Sequence, residues 1–108
     1  MSKKYDPLTE SYYYILLCLY KNPNHGYGIM QQTKELSNDR VKIGSGTMYT
    51  AVSKMIKKGW IKDSDIANEQ DDRRRTYEIT QEGIEVLHFE IERLKELIKS
   101  AELVKSQS

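Results

Sequence analysis

Apolar positions along this chain fall into three rhythms, and each predicts a different kind of helix. In the first, Tyr12-Tyr13-Tyr14-Ile15-Leu16-Leu17-Cys18-Leu19-Tyr20 is apolar or aromatic on every side, so a helix there must be covered from more than one direction. Thr9 is placed to cap it and Pro23 to end it, because proline pushes the preceding residue out of helical dihedrals and has no N–H to give. The second rhythm lies between Ile43 and Trp60, where Val52, Met55 and Ile56 follow Met48 at offsets of four, seven and eight and share one buried stripe. Ser45 is the expected N-cap and Gly59 the expected left-handed stop. In the third, Ile84, Leu87, Ile91, Leu94, Ile98 and Ala101 alternate spacings of three and four after a capping Thr80. That is a coiled-coil seam on a last helix reaching about Val104, and Val86, Phe89, Leu97 and Leu103 widen its apolar surface.

Shorter elements fill the gaps. Met1 to Asp6 is a polar leader expected to be mobile. A helix from Gly26 to Ser37 is expected to bury Tyr27, Met30 and Leu36, and Gly26 and Gly28 suggest close backbone packing at its start. Asn38-Asp39 reads as a turn and Val41-Lys42-Ile43 as a very short strand. Trp60 to Ile66, a polar loop from Ala67 to Asp72, and a returning strand from Arg73 to Ile79 make a β-hairpin. The expected fold is mainly α with a small β-hairpin: a winged helix-turn-helix over residues 1–80, then a C-terminal dimerisation helix and short tail over 81–108. The seam has fewer than three heptads, too few to hold a dimer alone, so it is expected to pack with the first helix of its own chain and of a partner.

Charge gives the helix between Ser45 and Gly59 a direction. The net charge is only +1, but Arg40 to Lys62 holds six basic residues and no acid, whereas Glu82 to Glu102 holds six glutamates and three bases. One positive end and one negative end suit a molecule that approaches a polyanion with one end only. Opposite the apolar stripe stand Thr47, Thr50, Ser53, Lys54, Lys57 and Lys58; hydroxyls there suit base edges in a DNA major groove and ammoniums suit phosphates. Arg73-Arg74-Arg75 at the hairpin suits phosphate or minor-groove contact, and neutralisation of Glu69, Asp71 and Asp72 is the competing role. Other chemistry is thin. His25, His88 and Cys18 show no metal-ligand spacing, Gly44-Ser45-Gly46 lacks the length and lysine of a phosphate-binding loop, and no nucleophile and base are placed together. A lone cysteine and the lack of a basic leader before an apolar run imply a reducing, cytoplasmic setting, with no membrane span, metal, cofactor or catalysis.

Leu8-Thr9-Glu10 leading into Tyr13-Tyr14-Ile15-Leu16, His25-Gly26-Tyr27-Gly28-Ile29, Gly46-Thr47-Met48-Tyr49, Gly59-Trp60-Ile61, and Arg73-Arg74-Arg75-Thr76-Tyr77-Glu78-Ile79-Thr80 with Gly83 resemble the PadR family of bacterial transcriptional regulators. Five motifs in order over nearly the whole chain make the likeness specific. The resemblance implies a winged helix-turn-helix homodimer on a palindromic operator in double-stranded DNA, usually a repressor released by a small effector. A single helix after the wing is similar to the short subfamily, in which that helix makes the dimer. The DNA-binding residues expected are thus Ser45, Thr47, Tyr49, Thr50, Ser53, Lys54, Lys57, Arg73, Arg74 and Arg75; of these, the resemblance matches Thr47, Tyr49 and Lys54 to the recognition-helix face and Arg73 to Arg75 to the wing. The dimer interface is expected at Ile84, Leu87, Ile91, Leu94 and Ile98. An aromatic effector site is expected where Tyr12, Tyr13 and Phe89 meet at the junction of the first and last helices. Multidrug-binding members hold flat ligands against a tryptophan on the last helix; Trp60 lies elsewhere, which argues against that mode. A winged-helix module that docks on an acidic protein is the alternative, and a steep salt dependence of DNA binding separates the two.

Overall fold

The structure is a computed structural model describing residues 5–64 and 75–107. Among these, the elements run α1 (Glu10–Cys18), β1 (Asn24–His25), α2 (Gly26–Leu36), α3 (Ser45–Lys58), β2 (Ile61–Asp63), β3 (Thr76–Ile79) and α4 (Gln81–Ser106). The chain is mainly helical, with a small antiparallel sheet and a long last helix, as the apolar rhythms predicted. Thr9 caps α1 by accepting the Tyr12 N–H at 3.1 Å. The helix ends at Cys18, not at Pro23, because the Leu19 and Tyr20 amides already turn back to the Leu16 and Leu17 carbonyls, a tightening that closes the helix before the proline is reached. Ile15, Leu16, Cys18 and Leu19 are buried, with Tyr12, Tyr13 and Leu17 at the margin of the same core, against α2 on one side and α4 on the other. Burial pushes the Cys18 thiol up in pKa, and its sulfur lies 3.6 Å from the Thr33 hydroxyl; it is a core thiol, as expected.

The inward face of α2 differs from the prediction. Ile29 and Thr33 are buried, while Tyr27 and Leu36 are 63% and 50% exposed. Thr33 is at home in the core because its hydroxyl meets Cys18, a contact between helices that no pattern along one helix reveals. His25 caps α2, its Nδ1 accepting the Gly28 N–H at 3.0 Å, and a Cβ at Gly28 would collide with the Asn24 side chain. Asn38 and Asp39 form the predicted turn at φ 53° and 65°, a left-handed conformation their short polar side chains tolerate. Val41 to Ile43 is not a strand. The Val41 N–H donates to the Ser37 hydroxyl at 2.9 Å, which ties the segment back to the end of α2. The strand the pattern missed is β1, two residues long, which pairs Asn24 with Tyr77 and His25 with Thr76. Sheet order is β1-β3-β2, with Ile61 opposite Ile79 and Asp63 opposite Tyr77.

Two halves of α4 face different surroundings. Gly83, Val86, Leu87 and Glu90 are buried against the domain, whereas Leu97, Ile98, Leu103 and Val104 are all more than half exposed. At about 1.5 Å per residue the helix extends well past the core, and the molecule is 59 Å in its longest dimension. Its start is locked to the end of α3. The Thr80 hydroxyl accepts the Gly83 N–H at 3.0 Å and lies 2.6 Å from the Gly59 carbonyl oxygen and 3.0 Å from that of Trp60. A Cβ at Gly83 would strike the Trp60 carbonyl, so only glycine lets α4 begin this close. The leader is less free than predicted: Tyr5 packs edge-to-face on Phe89, with ring centres 5.6 Å apart. Next to Phe89, the buried Glu90 carboxylate takes two hydrogen bonds from Arg93, at 2.8 and 2.9 Å, and one from the Leu8 amide. No helix among the described residues is long and apolar enough to cross a membrane.

Candidate nucleic-acid interface

The chemistry of α3 follows from how its two ends are made. Gly44, not Ser45, is the N-cap: its carbonyl accepts the Met48 N–H at 2.9 Å and no side chain caps the helix, so Ser45 is the first helical residue and points its hydroxyl outward from an exposed position. At the other end Gly59 takes φ 80°. The Gly59 and Trp60 amides return to the Ile56 and Met55 carbonyls, a Schellman closure. Met48, Ala51, Val52 and Met55 are buried and Ile56 half-buried, close to the predicted stripe. That rotation leaves Thr47, Tyr49, Thr50, Lys54 and Lys57 exposed and Ser53 half-buried. Lys58 is turned aside, its Nζ 5.2 Å from the centre of the Trp60 ring.

Two flanks border this face. Toward α1, an open groove of about 700 Å³ is lined by Thr9, Ser11 and Tyr12 on one bank and Gly46, Thr47, Thr50 and Lys54 on the other. A Cβ at Gly44 or Gly46 would meet nothing within 4 Å, and neither residue has positive φ. Nothing within the chain calls for glycine at either position. Toward the hairpin, Tyr27 stacks on His25 at 15° and 6.5 Å, and Tyr49 is 70% exposed. Arg75 is held there by Asp63: its Nε and Nη2 donate to the carboxylate at 2.9 to 3.1 Å, and its guanidinium carbon lies 5.2 Å from the centre of the Tyr77 ring. The hydrogen bonds to Asp63 push the guanidinium further toward its charged form. Neutralisation was expected from Glu69, Asp71 and Asp72; the acid that pairs with Arg75 is Asp63, on the neighbouring strand. Arg73 and Arg74 lie outside the described residues.

The other expected sites are redistributed. Leu87 is fully enclosed by its own chain, which corrects its place in a dimer seam: it has no surface left to give a partner. Ile84, Ile91 and Leu94 are half-buried and Ile98 is exposed. The structure does not bring Tyr12, Tyr13 and Phe89 together around one site. Their rings meet Trp60, Tyr14 and Tyr5 respectively, at 5.4 to 6.3 Å between centres. Tyr27 and Asp63 were missed by the sequence reading. The signal for Tyr27 was its place two residues after the capping His25, where a first-turn side chain can stand clear of the core. Asp63 gave no signal. Among the described residues no group of three His, Cys, Asp or Glu is placed to hold a metal.

Two helices joined by a turn, the second showing a basic and hydroxyl-bearing face beside a hairpin, define a winged helix-turn-helix protein of the nucleic-acid-binding class. The model of the transcriptional regulator PadR-like family matches residues 15–88, and the chain belongs to that family. A PadR family transcription regulator from hypervirulent Clostridium difficile R20291 is 26% identical with a TM-score of 0.75, the match covering 89% of this chain and 98% of that one. A PadR-like transcription factor from Bacteroides fragilis is 25% identical with a TM-score of 0.71, over 86% of this chain and 87% of that one. A transcriptional regulator from Clostridium thermocellum, 24% identical with a TM-score of 0.65 over 92% and 91% of the two chains, shares the fold. No curated protein matches the chain.

Proposed function

We propose that this PadR-family regulator is a cytoplasmic repressor that binds a palindromic operator as a homodimer. The observation that carries the reading is the outward face of α3: Thr47, Thr50, Lys54 and Lys57 are exposed together, in a stretch from Arg40 to Lys62 that holds no acid. Lysines there would meet phosphates and hydroxyls would meet base edges. The bare glycines support it, since Gly44 and Gly46 keep the first turn of α3 free of side chains where a duplex would approach. The homodimer is supported by the exposed half of α4, whose Leu97, Ile98, Leu103 and Val104 are the large apolar groups a second copy would cover. Repression then needs only occupancy of a promoter. An effector is left out of the proposal, because the three rings expected to hold it are engaged elsewhere.

Selection of duplexes from a random pool, followed by titration of the winner at several salt concentrations, tests the reading. A two-fold symmetric winner is expected, with log affinity falling linearly in log salt and the slope reduced by about one in Lys54→Ala. No preferred duplex, or binding to DNA unaffected by salt, would overturn the proposal and favour a module that docks on protein.

A further inference from the structure

An apolar recess beside α3 is left unused by phosphate and hydroxyl contacts. It encloses about 260 Å³ between α2, α3 and the hairpin. Its floor is Met30, Met48 and Val52, the last two buried, and its rims are the exposed rings of Tyr27 and Tyr49. Ser45 also lines it, and Ser45 and Tyr49, four residues apart, share one strip of α3. The recess therefore opens on the side of α3 that the proposed function turns toward DNA. On its hairpin side stands Tyr77, with the Arg75 guanidinium over the ring, so the mouth is bordered by positive charge while the floor is carbon and sulfur.

We propose that this recess receives the C5-methyl group of a thymine in each operator half-site, with Tyr27 and Tyr49 as the specificity-determining side chains. The inference rests on the DNA-binding reading and deepens it. Base pairs in the major groove present donors, acceptors and a single apolar group, the thymine methyl. A donor or acceptor pressed against Met48 and Val52 would lose water without gaining a partner, whereas a methyl group there loses only its contact with water. Arg75, fixed by Asp63, keeps the border cationic, which favours the base of a polyanion over a free apolar ligand.

The experiment takes the duplex selected above and replaces each thymine in turn by deoxyuridine, which deletes only the methyl group. Affinities are measured for wild type, Tyr27→Ala, Tyr49→Ala and Tyr49→Phe, with melting curves to show that these surface variants remain folded. One symmetry-related pair of thymines is expected to weaken wild-type binding about fourfold per lost methyl, the value for burying one such group. Both alanine variants are expected to bind less tightly and to stop distinguishing deoxyuridine at that pair, while Tyr49→Phe keeps the distinction. Indifference to deoxyuridine at every thymine, or full discrimination surviving in both alanine variants, would overturn the inference and leave the DNA reading standing. Failure to select any duplex would remove the DNA reading itself.

Discussion

Gly46 is the residue at which stability and binding are expected to part. Alanine there meets open space and favours the helix, by up to about 1 kcal/mol at an interior position and less in a first turn, so Gly46→Ala should melt higher than wild type. The same methyl group would stand between α3 and an approaching duplex, so operator affinity should fall; thermal melting and anisotropy on one preparation check both signs. An equal or tighter complex would show that the bare turn has nothing to do with DNA. Glu90 is tested by acid. The Arg93 guanidinium, with help from the Leu8 amide, holds the buried carboxyl below its ordinary range, which is about 4.3. Its ionised form therefore adds stability that is fully present above that value and is lost as pH falls through the lower, folded pKa. Glu90→Gln should melt below wild type at neutral pH, and the gap should close on acidification. A gap independent of pH would mean that shape, not charge, is what the site requires.

Among the elements, α1, α3 and α4 were legible because each carries a long apolar pattern together with a true stop or start: Thr9, Gly59 and Thr80 all act as read. What escaped was set between elements. Thr33 is buried because Cys18 on another helix answers its hydroxyl, β1 is a strand because β3 lies beside it, and Arg75 is paired because the register of β2 and β3 brings Asp63 to it. The seam of α4 was legible as a periodicity but not as an address. A spacing of three and four does not tell which turns face the same chain, and Leu87 turned out to belong wholly to the domain. This division has an expected outcome. Leu87→Ala should cost roughly 2–5 kcal/mol of folding stability, whereas Leu97→Glu with Ile98→Glu, at exposed positions, should leave each chain folded. Sedimentation of the double variant as a folded monomer is expected; a folded dimer would place the interface elsewhere.

The whole molecule separates its charge along its length, with the acid-free stretch around α3 and the glutamate-rich surface on α4, so a polyanion is attracted to one end and repelled from the other. How these ends are joined decides what a dimer can tolerate. The Thr80 hydroxyl against two carbonyls at the end of α3, and Gly83 pressed beneath Trp60, leave no slack at the corner between recognition helix and dimer helix. In the proposed dimer the two chains act as the jaws of a caliper with a fixed gap. A base pair added between half-sites moves the second one about 3.4 Å along the duplex and turns it by roughly 35°, and jaws without slack follow neither change. Operators lengthened or shortened by one base pair should lose most of their affinity, while one lengthened by a full turn keeps the same face of the duplex but asks for a span the corner will not open to. Loosening that corner, as Thr80→Ala would, should broaden the range of spacings accepted before it weakens binding to the best one.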